Sequence, residues 1–233
     1  MPIITFNGPI GAGGVELGLK VADMLDADYV DRLVFAEAAK RVGSTIGAMA
    51  GKEQRVLRLR DRIAYFLQNM LEKSAVSGAA GEPYFSPGIE VLPGEQYSEL
   101  SKEPISESQR LSDKQFLEAI SGVIKDLAAS GNVVIIGRGA NIILKDTPHA
   151  VHVALTASQE KCVETIAQRE RFSRAEAEKY FAEAERARQA FFRKFFKVQA
   201  DNQALYHVCL NMDRVKTDTA AEIVVHAARD LEA

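Results

Sequence analysis

A chain of 233 residues, 47% hydrophobic and 26% charged, has the size and composition of a single α/β domain with an inserted subdomain, and this usage excludes global disorder. Its formal charge of -3 excludes the uniformly basic field on which nonspecific nucleic-acid binding relies, so any anion site must be a local cluster of cations. Cys162 and Cys209, the two cysteines, stand far apart and lack zinc-finger spacing, which excludes a disulfide framework.

In chain order, Pro2 to Phe6 is a short apolar run that reads as a first strand. No basic segment followed by an apolar export stretch precedes it, and no apolar run approaches membrane-spanning length, so a cytoplasmic protein with no membrane or nucleic-acid partner is expected. Asn7-Gly8-Pro9 and further glycines follow, then Leu17, Val21 and Leu25 at helical spacing: strand, glycine loop, helix. Asp28 to Val30 is a second strand. Val133 to Ile136 is a third, and Val151 to Leu155 and Tyr206 to Leu210 supply two more. Val133 to Ile136 is apolar at successive positions, as expected when helices cover both faces of a parallel sheet. The predicted fold is a three-layer α/β domain of P-loop NTPase type over residues 1–233, with a five-stranded parallel sheet, a helical insertion and a lid.

Roughly one hundred residues separate the second and third strands, too many for an ordinary connection, so the segment 34–128 is expected to form a helical, acceptor-binding insertion. Val34 to Leu71 is helix-like, with a charged stretch from Lys52 to Arg62. Pro83, Pro87, Pro93 and Pro104 break any helix between Ser77 and Glu107, which reads as a flap. Ser112 and Gln115 resemble a capping box that opens a helix through Phe116, Ile120, Ile124 and Leu127. A second long helix is predicted from about Arg174 to Val198, where Ala177, Phe181, Ala184, Arg188, Phe191 and Phe195 form one apolar stripe. That stripe suits either core packing or a homodimer contact.

Gly8-Pro9-Ile10-Gly11-Ala12-Gly13-Gly14-Val15 carries the strongest chemical signal. Gly8 and Gly13 occupy the glycine positions of G-x-x-x-x-G-K-[ST], in which backbone N–H groups and a helix N-terminus face phosphate oxygens. Gly14 and Val15 then replace the lysine and the hydroxyl residue, so the anion cradle is kept while a cation and a magnesium ligand are lost. A tight turn in another α/β fold is the competing reading. Gly137-Arg138-Gly139-Ala140-Asn141 follows the third strand. Ligands of open α/β sheets sit at the carboxyl ends of strands, so Arg138 is placed beside the glycine loop, where a bidentate guanidinium suits phosphate. Asp31 follows the second strand on the corresponding rim, or else serves as a helix N-cap. His149 and His152, three apart at the start of a strand, point to opposite faces, and they and His207 and His226 read as core or surface histidines.

Together these segments resemble the cytidylate kinase-like proteins, relatives of the nucleoside monophosphate kinases. The resemblance rests on Gly11-Ala12-Gly13-Gly14 with Glu16 and Gly18, on Tyr29-Val30-Asp31, on Ile135 to Asn141, and on Tyr206 to Asn211. It implies phosphoryl transfer from ATP, with Mg2+ whose ligands the sequence does not identify, to CMP, dCMP or a related acceptor, with Asp31 and Arg138 in the acceptor site. It also implies a lid over 169–198, in which Arg169, Arg171 and Arg188 neutralise charge on the transferring group, Glu185, Phe191 and Phe192 completing that series. A solvated basic helix face is the alternative for each of these arginines. The chain departs from cytidylate kinases proper at Gly14 and Val15, and again at Ile136 and Gly139, where acidic residues flank the arginine. A noncatalytic nucleotide-binding sensor or scaffold is therefore the second reading.

Overall fold

The apolar run at the start of the chain becomes the central strand, because only there are both of its faces covered. β1 (Ile3–Asn7) is buried at every residue. The structure, a computed structural model, describes residues 1–31 and 107–231, with side chains from 117 onward apart from 119. β1 lies between β3 (Val133–Ile136) and β4 (Ala150–Thr156), with β2 (Asp28–Val30) and β5 (Val208–Asn211) outside them, in the order β2-β3-β1-β4-β5. Every pairing is parallel, with Thr5 opposite both Ile135 and His152. Parallel neighbours need crossovers, and helical crossovers bury both sheet faces.

Alternation along the strands assigns each face its helices. Ile4, Phe6, Val151, Val153 and Leu155 meet α1 (Gly14–Met24) and α6 (Thr217–Asp230) through Leu17, Val21, Ala220 and Val224. Ile3, Val133, Ile135 and Ala150 meet Val123, Ile124 and Leu127 of α2 (Glu107–Ser130), together with Ala140 of α3 (Ala140–Ile143). The result is the expected three-layer fold with five parallel strands.

Two helix boundaries differ from expectation. α2 starts at Glu107, so Ser112 and Gln115 stand inside it and do not cap it. No glycine or proline lies between Pro104 and Ser112, so nothing stops the helix from extending back past the cap signature. The long helix begins at Arg174 as predicted, but α5 (Arg174–Phe191) does not stay α-helical to Val198. It widens into a π-turn, Phe192–Phe196, closed by Lys197 at φ 59°. There Phe191, Phe192, Phe195 and Phe196 gather around Ile142 and Ala200, and this packing accompanies the irregular turn. α4 (Gln159–Glu170) precedes it, and the Ser173–Glu176 capping box starts α5. Of the segment 34–128, only 107–128 is described, and the expected flap lies outside the described residues apart from Glu107. Among the described residues no helix is long and apolar enough to cross a membrane.

One polar group is set into the α2 face of the sheet. His152 is 3% exposed; its Nδ1 is 2.8 Å from Thr5 Oγ1, and its backbone N–H donates to His207 Nδ1 at 3.0 Å. The two imidazoles stack with centroids 4.9 Å apart. Burial, reinforced by His207, pushes the His152 imidazolium down to about 4. The unfolded chain, whose histidine titrates at about 6.5, binds this proton first, so the contribution is complete above that pH and disappears as pH falls through 4. Chemical denaturation at a series of pH values is expected to show wild type losing on the order of 2 kcal/mol more than His152→Asn between pH 7 and pH 4. Parallel pH profiles for the two proteins would contradict it.

Candidate functional site

The site begins where β1 ends. After Asn7 the chain turns through the glycine loop and enters α1, whose N-cap, Gly13, makes no side-chain cap hydrogen bond. The first-turn N–H groups of α1 therefore have no side-chain acceptor at the cap, which is the arrangement that receives an anion. Gly11 and Gly13 both have φ 86°, in the left-handed region. A Cβ on Gly8 would lie 2.6 Å from the Leu155 carbonyl oxygen, and one on Gly11 would lie 2.4 Å from that of Cys162. The loop is thus pressed onto the end of β4 and the first turn of α4, with room for hydrogen alone. Gly14 is different: its φ is not left-handed, and a Cβ there would meet only Leu155 Cδ1 at an ordinary 3.5 Å. The backbone at position 14 admits a side chain.

Beside the loop, β3 ends in a turn whose conformation is costly. Gly137, Arg138 and Gly139 have φ 75°, 58° and 68°, and a non-glycine residue held there stores strain of the kind that collects at functional sites. The Gly137 N–H donates to the Phe6 carbonyl at 2.7 Å, which fixes the turn next to the end of β1. A Cβ on Gly139 would lie 2.3 Å from Phe196, so the π-turn is packed against it. Arg138 is 5% exposed and Asn141, in α3, is 3% exposed.

Asp31, at the end of β2, is buried and accepts a hydrogen bond from the Tyr29 hydroxyl at 3.1 Å. Burial and the Asp31 carboxylate raise the Tyr29 phenol well above its ordinary range, and the guanidinium of Arg169 is near enough to oppose that shift. Asp31 and Arg169 therefore share one neighbourhood. Arg169, in the last turn of α4, also pairs with Glu170 at 2.8 Å. Arg171 is exposed, and at φ 58° it ends α4.

Arg188 is largely buried and held by carboxylates. Its Nε and Nη2 donate to the two oxygens of Glu185 at 2.8 and 2.6 Å, and Nη2 also donates to Asp201 at 2.6 Å. Burial disfavours its charge, but the two carboxylates outweigh burial and raise its pKa. Tyr206 feels this cation, and its hydroxyl joins Asn7 Nδ2 and the Ala200 carbonyl. Ile10 of the glycine loop packs with Val163, Ile166 and Ala177, so the α4–α5 hairpin is seated on the loop.

Of the sequence-predicted residues, Gly8, Gly11, Ala12, Gly13, Gly14, Val15 and Arg138 thus gather at the ends of β1 and β3, with Arg188 linked to Asn7 through Tyr206. Asp31 and Arg169 form a second group on the β2 side, and Arg171 joins neither in the contacts described. Asn7 and Tyr206 were not singled out from the sequence as site residues. The signal for Asn7 was a polar residue closing an apolar strand, whereas nothing local marks Tyr206, whose partners are distant in the chain. Among the described residues no group of three histidine, cysteine, aspartate or glutamate side chains fits a metal ion.

Residues 3–214 match the model of the cytidylate kinase-like family. The chain belongs to that family. A solved structure of an uncharacterized protein from Eubacterium ventriosum is similar to it, with 14% identity, 98% of each chain covered and a TM-score of 0.59, a likeness of fold. Others are a shikimate kinase from Acinetobacter baumannii in complex with shikimate (14% identity, 99% and 94% covered, TM-score 0.47) and a gluconokinase from Sinorhizobium meliloti (13%, 99% and 94%, TM-score 0.43). No curated protein matches. The family is thus a kinase-like one, and the fold is the three-layer α/β arrangement described above.

The contrast between the loop glycines is measurable. Gly11→Ala is expected to cost about 2 kcal/mol or more, because it combines left-handed strain with overlap against the Cys162 backbone. Gly14→Ala is expected to be neutral or to stabilise by about 0.5 kcal/mol, since alanine favours a helix and orders the unfolded chain. Urea denaturation of the two variants checks both values.

Proposed function

We propose that this protein transfers the γ-phosphoryl group of ATP to a nucleoside monophosphate, with CMP and dCMP as the first acceptors to test. The observation that carries the reading is the close-pressed glycine cradle at the end of β1, set beside a strained, buried arginine at the end of β3. In this reading N–H groups of the loop and the first turn of α1, other than that of Ala12, which donates to the Pro9 carbonyl, receive the donor phosphates, and Asp31 with Arg138 holds the acceptor. Phosphoryl transfer asks the protein chiefly for positioning and for cations around the transferring oxygens. Arg138, Arg169 and Arg188 supply these, with Arg171 recruited as the lid of 169–198 closes. Arg188 has to share or exchange the Asp201 carboxylate to take part, so lid closure and charge delivery are one event.

The loop does not fit the usual metal arrangement. Val15 has no hydroxyl, and the described residues offer no cluster of ligands, so no protein group among them is assigned to Mg2+. The missing loop lysine favours a second reading, a nucleotide-binding sensor or scaffold without turnover.

A coupled assay over a panel of nucleoside monophosphates with ATP and magnesium separates the two. Turnover is expected in wild type, and Arg138→Ala is expected to lower it by on the order of a hundredfold, the effect of removing one preorganised donor. Arg138→Lys should recover little, because an ammonium cannot make the planar two-pronged contact. Wild-type turnover in a folded Arg138→Ala protein would refute the role of Arg138. ATP-dependent thermal stabilisation without turnover on any acceptor would favour the sensor.

A further inference from the structure

The wall against which the glycine loop leans is the first turn of α4. A Cβ on Gly11 would lie 2.4 Å from the carbonyl oxygen of Cys162 and 2.9 Å from its Cα. The residue just before Cys162 is Lys161. Its ammonium donates to the carbonyl of Met212, in the segment that leaves β5, and the Met212 methyl is 3.8 Å from where a Gly13 Cβ would stand. Lys161 thus precedes the residue that backs onto Gly11, and its head group bonds the residue whose methyl lies 3.8 Å from where a Gly13 Cβ would stand.

The nearby carboxylates are committed elsewhere. Asp213 accepts from the Ser158 N–H at 2.8 Å and from its hydroxyl at 3.2 Å, and Glu185 is taken by both prongs of Arg188. The hydrogen bond that holds the Lys161 ammonium goes to a neutral carbonyl, a weaker partner than an ionised phosphate oxygen. Its four-carbon stem is flexible enough to turn from one to the other.

We infer that Lys161 supplies the donor's phosphate chain with the cation that position 14 lacks: the lysine usual in the loop has its counterpart on the helix behind it. This deepens the nucleotide-kinase reading and rests on it. In that reading the arginines surround the transferring group, whereas Lys161 approaches the loop from the β5 side, through Met212. Gly14 is permissive, so a lysine restored there should make Lys161 dispensable.

Calorimetric titration with ATP, tripolyphosphate and adenosine tests the assignment in wild type, Lys161→Met, Lys161→Arg and the Gly14→Lys, Lys161→Met double variant. Lys161→Met should weaken ATP and tripolyphosphate about tenfold, roughly the worth of one charge-assisted contact, and leave adenosine unchanged. Lys161→Arg should keep most of the affinity, and the double variant should regain it, which also separates lost charge from a folding defect. Equal ATP affinity in wild type and Lys161→Met overturns the Lys161 assignment while the nucleotide reading stands. So does an equal loss for adenosine, or a double variant that regains nothing. Absence of ATP binding in wild type overturns the nucleotide reading and, with it, the role of Lys161.

Discussion

The structure depends on the absence of a Cβ at Gly8 and Gly11. The chain leaving the central strand passes within contact of the Leu155 and Cys162 backbones, at distances that no other residue permits. That contact sets where α1 begins, and so where its N–H groups point. It also sets where α4 starts relative to the loop, and hence where Ile10 receives the α4–α5 hairpin. A side chain at either glycine would push the strand end, the anion cradle and the hairpin apart together, which couples the geometry of the site to the packing of the sheet.

A second constraint acts through charge. A cation carries a desolvation cost if it is buried alone. The fold answers this differently for each cation. Arg188, largely buried, pairs with the partly buried Glu185 and the exposed Asp201, Arg169 stays half-exposed against Glu170, and Lys161 rests on a carbonyl. Arg138 is held on a turn of left-handed residues that the Gly137 hydrogen bond to Phe6 keeps in register with β1.

The family and the loop point in different directions, and the backbone reconciles them. The chain belongs to the cytidylate kinase-like family, and the glycine loop proposed to hold phosphate has glycine at position 14, where G-x-x-x-x-G-K-[ST] carries its cation. The geometry gives no reason for that glycine, since φ at position 14 is ordinary and a Cβ would be accommodated. Gly14 differs in this from Gly11, although the two look equivalent as letters. Gly18 is a third case: a Cβ there would meet Ile136 and Tyr29, so it serves the close approach of α1 to the sheet and not the ligand.

What the sequence determined by itself was the order of elements and the position of the loop. Val133 to Ile136 was readable as a buried strand because doubly covered parallel strands are apolar at successive residues, a local signal. The glycine loop was readable because strand, glycines and helix are contiguous. The end of α5 was not, because its π-turn packs against Ile142 of α3, which is distant in the chain. Nor was the early start of α2, where the cap signature at Ser112 lost to a helix that nothing interrupts. Which arginines stand beside which carboxylates, why Tyr206 meets Asn7, and that Lys161 backs onto Gly11 were decided by the tertiary structure alone. Burial and ion pairing depend on distances through space, and spacing along the chain carries no record of them.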